Sequence, residues 1–84
     1  MFYVYVLKST VDNNLYTGCT KDLAERIKRH NSGKVPATKD RKPLDLIYYE
    51  ACVNKLDAYH REKYLKTAYG KQYIKNRLKN YFMG

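Results

Sequence analysis

Residues 2–8 read Phe2-Tyr3-Val4-Tyr5-Val6-Leu7-Lys8, aromatic and β-branched and apolar almost throughout. Such a run describes a central strand covered on both faces, because a one-sided strand alternates polar and apolar positions. The polar break from Ser9 to Asn14, centred on Asp12-Asn13, is turn chemistry, and Leu15 to Gly18 resumes a short strand. The two strands read as a β-hairpin. With Tyr5 set opposite Tyr16, both phenols lie on one face, since paired residues point the same way.

Beyond the hairpin, Thr20 is the expected N-cap of a first helix, with Asp22 and Glu25 where the helix dipole favours anions. That helix should run to about Asn31 and stop at Asn31-Ser32-Gly33, with Leu23 and Ile27 as its apolar seam. Arg26 and His30, four residues apart, lie beside the seam. Lys34 to Pro43 is a basic loop, and Leu44 to Glu50 a third strand. Asn54, with Asp57 after it, caps a second helix expected to reach Tyr69 and end at Gly70. Ile74, Leu78, Tyr81 and Phe82 form the apolar stripe of a third.

Eighty-four residues are expected to make one domain spanning 1–84, with a core of modest size. Ten tyrosines can each pack a ring while keeping the hydroxyl wet or bonded. The formal charge of +9 points to a polyanion, with nucleic acid first. A membrane surface fits less well, as no long apolar run or signal-peptide segment is present. The positive excess falls in two clusters, residues 21–43 and 55–79, interleaved with tyrosines. Cys19 and Cys52 have no metal-ligand spacing, and a reduced cytoplasmic setting is the simplest reading.

The polar set Tyr5, Tyr16, Arg26, His30 and Glu62 suits phosphodiester chemistry: donors for a phosphate, proton acceptors and one hard oxygen ligand. Glu62 is the most telling member. Ala58, Leu65 and Tyr69 fall around it at helical spacing, so its carboxylate is expected to face the sheet. A buried charge costs several kcal/mol unless paired, so an arginine, a lysine or a divalent ion must meet it; an internal ion pair with Arg26 or Arg61 is the bland alternative. Arg26 can fork two bonds onto a phosphate, or simply be a solvated helix arginine. His30 can shuttle a proton, or partner the helix C-terminal dipole. Tyr5 and Tyr16 can equally be packing aromatics, because a phenol titrates near about pH 10 and acts as a base only beside cations.

Taken together these residues resemble the GIY-YIG nuclease superfamily, in its small branch related to the incision domain of bacterial excision-repair nucleases. Tyr3-Val4-Tyr5 stands for the first signature and Tyr16-Thr17-Gly18 for the second, followed by Thr20-Lys21-Asp22-Leu23, Arg26, His30, Asn31 and Gly33. His60-Arg61-Glu62-Lys63-Tyr64-Leu65-Lys66 matches the later acidic helix. Tyr3 replaces the glycine of the first signature, Thr17 replaces the isoleucine of the second, and Asn76 is the counterpart of a later asparagine.

The resemblance implies an α/β (α+β) fold, a three-stranded antiparallel sheet flanked by helices. It implies a single divalent ion, Mg²⁺ or Mn²⁺, on Glu62. Tyr16 or Tyr5 would activate water, with Arg26 holding the phosphate, to leave a 5′-phosphate and a 3′-hydroxyl.

The expected function is therefore a metal-dependent DNA endonuclease, structure-selective or weakly sequence-specific, in the manner of a DNA-repair enzyme. Lys34, Lys39, Arg41 and Lys42 are the expected nucleic-acid contacts, with RNA as the other polyanion. The alternative is a nucleic-acid-binding domain that keeps the nuclease fold with little or no turnover. Retention of Tyr5, Tyr16, Arg26 and Glu62 together favours the enzyme.

Overall fold

The computed structural model describes all residues from 1 to 84. Strands β1 (Phe2–Ser9), β2 (Leu15–Thr20) and β3 (Leu44–Cys52) form one antiparallel sheet in the order β2-β1-β3. Helix α1 (Leu23–Asn31) follows the hairpin; α2 (Lys55–Leu65), α3 (Ala68–Arg77) and α4 (Lys79–Met83) follow β3. This is the α+β architecture expected.

The apolar run of β1 makes it the central strand, and each of its faces has its own core. Val4 and Val6 pack with Ala58, Leu65 and Ile74, under α2 and α3. Tyr5 and Leu7 pack with Leu44, bordered by Tyr16, Leu23 and Ile27, on the α1 side. Burying each such side chain contributes about 1.5–3 kcal/mol, so both faces are needed in a chain this small.

The register differs from the one expected. Tyr5 pairs with Gly18 and Tyr16 with Leu7, so the two tyrosines are diagonal rather than opposite. The even offset still leaves both phenols on the α1 face. The turn sets this register. Asn13 takes φ 60, a conformation asparagine tolerates, and Asp12 Oδ1 accepts from Asn14 N at 2.9 Å.

Helix starts follow competing caps. Asp22, not Thr20, caps α1 by accepting from Glu25 N, while Thr20 Oγ1 accepts from Asp22 N one turn earlier. Asn54 caps α2 as expected, accepting from Leu56 N and Asp57 N. The second helix is shorter than the sequence reading. It ends at Leu65, because the Thr67 hydroxyl accepts from Gly70 N and starts α3. Gly70 is therefore no terminator: it is buried inside α3, where a Cβ would strike Tyr64 O and the Leu65 backbone. Tyr69 falls on the other side of this break and is 80% exposed, outside the Glu62 stripe. The last expected helix is likewise split at Leu78, leaving Ile74 in the core and Tyr81 and Phe82 exposed.

An ionic clamp fixes α2 to β3. Arg61 forks onto Glu50 through Nε at 2.9 Å and Nη2 at 2.8 Å, and the Tyr48 hydroxyl donates to the same carboxylate at 2.9 Å. The guanidinium also lies 4.7 Å from the Tyr73 ring centroid, tying in α3.

Candidate active site

Tyr5 and His30 meet in the interior between β1 and α1. Both are fully buried, and the Tyr5 hydroxyl lies 2.9 Å from His30 Nε2. His30 Nδ1 lies 2.7 Å from Thr38 Oγ1, whose own neighbour is Val35 O at 3.5 Å. Burial pushes the Tyr5 phenol up to about 12, so it keeps its proton at neutral pH. Burial, helped by the Arg26 charge, lowers His30 and holds it neutral. The consistent assignment is a one-way chain: Tyr5 O–H donates to Nε2, Nδ1–H to Thr38, and Thr38 to Val35 O. His30 thus lies in the last turn of α1 without facing solvent, and the basic loop supplies its second partner.

Tyr16 stands beside this pair, partly exposed, its ring edge-on to His30 with centroids 5.0 Å apart. Gly18, across from Tyr5, supplies the room for the phenol: a Cβ there would collide with Tyr5 Oη and Cζ. Arg26, on α1, brings its guanidinium against the Tyr5 phenol. Its Nε is buried without a hydrogen-bond partner, so the protein leaves this cation partly unsatisfied. A groove of about 410 Å³ beside Arg26 carries Arg29 and Lys34 as well.

Glu62 is half-buried on α2; burial is the main cause that raises the Tyr5 phenol and the Cys19 thiol, and the Glu62 charge adds to both. Its cation is Lys66, Nζ to Oε2 at 2.9 Å, rather than Arg26 or Arg61; Arg61 is committed to Glu50. Lys66 lies one turn further on and stays 53% exposed, so it can swing away at little cost. No three His, Cys, Asp or Glu side chains converge in the chain. The donor set is a single carboxylate, which fits a weakly held hard cation whose remaining partners are water and phosphate oxygens.

The expected nucleic-acid contacts divide between places. Lys34 shares the groove of Arg26. Arg41 is elsewhere, held by Asp12 at 3.0 Å near the hairpin turn. Lys39 and Lys42 are exposed on the loop, Lys42 folding back over Gly33. Asn76 is exposed on α3 and accepts from Gln72 Nε2 at 3.0 Å.

Sequence reasoning missed Thr38 and Lys66 as parts of this cluster, and quoted Gly18 in the second signature without its role as room for the Tyr5 ring. Lys66 was findable from its i, i+4 spacing to Glu62. Thr38 had no local signal, since its partner lies across the loop.

Over residues 1–80 the chain matches the family described as the GIY-YIG catalytic domain. The chain belongs to that family, a family of nucleases whose substrates are nucleic acids. It is 48% identical to a UPF0213 protein of Clostridium perfringens over 67 residues, covering 79% of this chain and 71% of that one. It is 43% identical to a UPF0213 protein of Staphylococcus haemolyticus over 74 residues, covering 87% and 89% respectively. A further UPF0213 protein, from Pediococcus acidilactici, is 43% identical over 81 residues, 89% of this chain and 82% of that one. No solved structure matches the chain. No helix is long and apolar enough to cross a membrane.

Proposed function

We propose that the protein is a metal-dependent DNA endonuclease, structure-selective or weakly sequence-specific, acting in DNA repair in the cytoplasm. The observation that carries this reading is the convergence of Tyr5, Tyr16 and Arg26 on one side of the hairpin with the Glu62 carboxylate beside them. Packing alone does not require a partly unsatisfied arginine next to two phenols.

The division of labour follows from burial. Tyr5 is sealed in, bonded to His30 and protonated, so it acts as a fixed donor and a strut. Tyr16 is the phenol with access to solvent, and its oxygen is placed to accept the proton of the attacking water. Arg26 holds the scissile phosphate and the charge that grows on it. The water oxygen bonds to phosphorus as the bond to the 3′ oxygen breaks, leaving a 5′-phosphate; the 3′ oxygen takes a proton from solvent. Mg²⁺ or Mn²⁺ on Glu62 would supply electrostatic stabilisation at the leaving oxygen. Lys66 neutralises Glu62 when no cation is there.

Binding without turnover is the second reading, favoured by that same Lys66–Glu62 contact. Cleavage of branched, flapped and single-stranded DNA with Mg²⁺ or Mn²⁺, comparing wild type with Glu62→Gln, separates the two. Turnover that disappears in Glu62→Gln supports the enzyme. No turnover of any substrate by a folded wild type supports the binder.

A further inference from the structure

Two hollows adjoin along β2, an edge strand of the sheet. The smaller, about 190 Å³, lies beside Tyr16 on a floor of Val6, Leu65 and Ile74, with Lys66 and Lys71 among its walls. The larger, about 950 Å³, reaches from the turn at Asp12–Asn14 to Lys8, Lys75 and Phe82. Leu15 and Lys71 line both, so the two adjoin along the β2 edge on the α2–α3 face, from Lys66, the partner of Glu62, to the hairpin turn and α4.

The charges of Lys8, Lys71 and Lys75 are uncompensated. Lys71 and Lys75 are i, i+4 neighbours on α3, where like charges destabilise a helix in the absence of a counter-charge. No Asp or Glu occurs anywhere after Glu62. The only acid lining the larger hollow, Asp12, is already bonded to Arg41 at 3.0 Å.

The aromatic groups match the charge. Phe82 lines the far end and is 38% exposed; Tyr81 meets it edge-on at 5.1 Å, and Lys8 Nζ lies 5.5 Å from the Tyr81 centroid. Cations spaced along a groove, with aromatic rings for base stacking, are what a single strand of nucleic acid requires. The apolar floor near Tyr16 suits the face of a base, whereas a duplex presents phosphate and sugar at its surface.

We propose that a single-stranded arm of the substrate passes from the site over the β2 edge beside the Glu62–Lys66 pair and along these hollows, its phosphates met by Lys71, Lys75 and Lys8 and a base stacked on Phe82. The assignment rests on the nuclease reading for the nature of the ligand. It adds that the substrate carries an unpaired strand.

The test is binding, read by fluorescence anisotropy in EDTA so that no cleavage occurs. Probes are a short oligothymidylate, the matching oligouridylate, a blunt duplex and the same duplex with a single-stranded tail. The full chain is compared with Lys71→Ala/Lys75→Ala and with Phe82→Ala and Phe82→Leu, unfolding midpoints being recorded for each. The double variant should lower affinity for the tailed and single-stranded probes about tenfold or more and reduce the salt slope by about 1.4, two phosphates' worth. Phe82→Ala and Phe82→Leu should each lose about 5-fold on those probes, the equivalent of about 1 kcal/mol for one stacked base. The blunt duplex should change by less than about twofold.

Equal losses on tailed and blunt probes, or no loss on either, overturn the path. A preference between thymidylate and uridylate identifies the arm as DNA or RNA, and either supports it. Failure of the nuclease reading looks different: the arm binds through these residues, yet no branched substrate is cut with Mg²⁺. A protein that cuts branched DNA while its tail affinity ignores Lys71, Lys75 and Phe82 keeps the nuclease reading and loses the path.

Discussion

The Tyr5 hydroxyl and His30 Nε2 are 2.9 Å apart with neither residue exposed, so the first signature tyrosine is joined to the end of α1 rather than to solvent. A buried phenol–imidazole bond of this kind keeps both groups neutral. It also ties the hairpin to the loop, because the other imidazole nitrogen reaches Thr38.

This pairing predicts a pH dependence. His30 is lowered from its ordinary 6.5, so below that value the unfolded chain binds a proton that the folded chain refuses. Stability from this source is complete above about 6.5 and falls as pH drops through the window beneath it. Glu50 acts lower: its carboxyl is held below the ordinary 4.5 chiefly by Arg61, so that contribution is present above 4.5 and lost on further acidification. Chemical unfolding across pH should show two successive declines. His30→Gln should remove the first and leave the second, and a wild-type curve flat between 4.5 and 6.5 would refute the neutral buried imidazole.

Gly18→Ala should disturb the site from the opposite strand. The added methyl occupies the space of the Tyr5 phenol, so the Tyr5–His30 bond must stretch. Overpacking of this kind costs about 1–3 kcal/mol. A lowered unfolding midpoint together with an upfield or downfield shift of the buried His30 ring protons would bear this out; a variant as stable as wild type with those signals unmoved would not.

Much of the fold is legible in the chain. The apolar run of β1 places that strand at the centre, and Asn54 announces α2 with the residue that caps it. What escaped depended on competition between local signals. Thr67 caps α3 and so breaks the second helix two residues past Leu65, where periodicity alone carries it on to Tyr69. The exact pairing of Tyr5 with Gly18 is set by the turn, and apolar alternation fixes only which face each phenol takes. In the site, Tyr5, Tyr16, Arg26, His30 and Glu62 are all visible as candidates, yet their partners are not. Thr38 meets His30 through a loop, and Glu62 chooses Lys66 because α2 turns Arg61 toward Glu50.

Lys66 is expected to restrain Glu62. In Lys66→Met the carboxylate loses its counter-ion, so the Mg²⁺ concentration needed for half-maximal cleavage should fall. Stability should change by less than about 1 kcal/mol, as for other solvent-exposed pairs. Titrating Mg²⁺ in a single-turnover assay, alongside the unfolding midpoint, reads both. An unchanged or raised Mg²⁺ requirement would argue that Lys66 serves Glu62 in no such way.

Among the loop cations, Lys34 should matter more than Arg41 for duplex binding. Lys34 lies in the groove of Arg26, whereas Arg41 is already held by Asp12. Affinity for DNA should fall steeply with salt and vary little with sequence. Lys34→Ala should lower the salt slope by about 1 for a duplex contact, and Arg41→Ala by less. Equal slopes for the two variants would undo the distinction.

The central claim is that Tyr16 and Arg26 act on the reacting phosphate while Tyr5 supports them from below. Its most direct test is single-turnover cleavage of a branched DNA at saturating enzyme, with substrate affinity and unfolding midpoint measured for each variant. Tyr16→Phe removes one partly exposed hydroxyl and leaves the ring packed, so it should stay folded and bind as wild type. Its rate should fall by about 10²–10⁴-fold, as for loss of a general base. Arg26→Ala should likewise lose far more rate than affinity. A folded Tyr16→Phe that cuts at the wild-type rate would contradict the account and leave Tyr16 a packing residue.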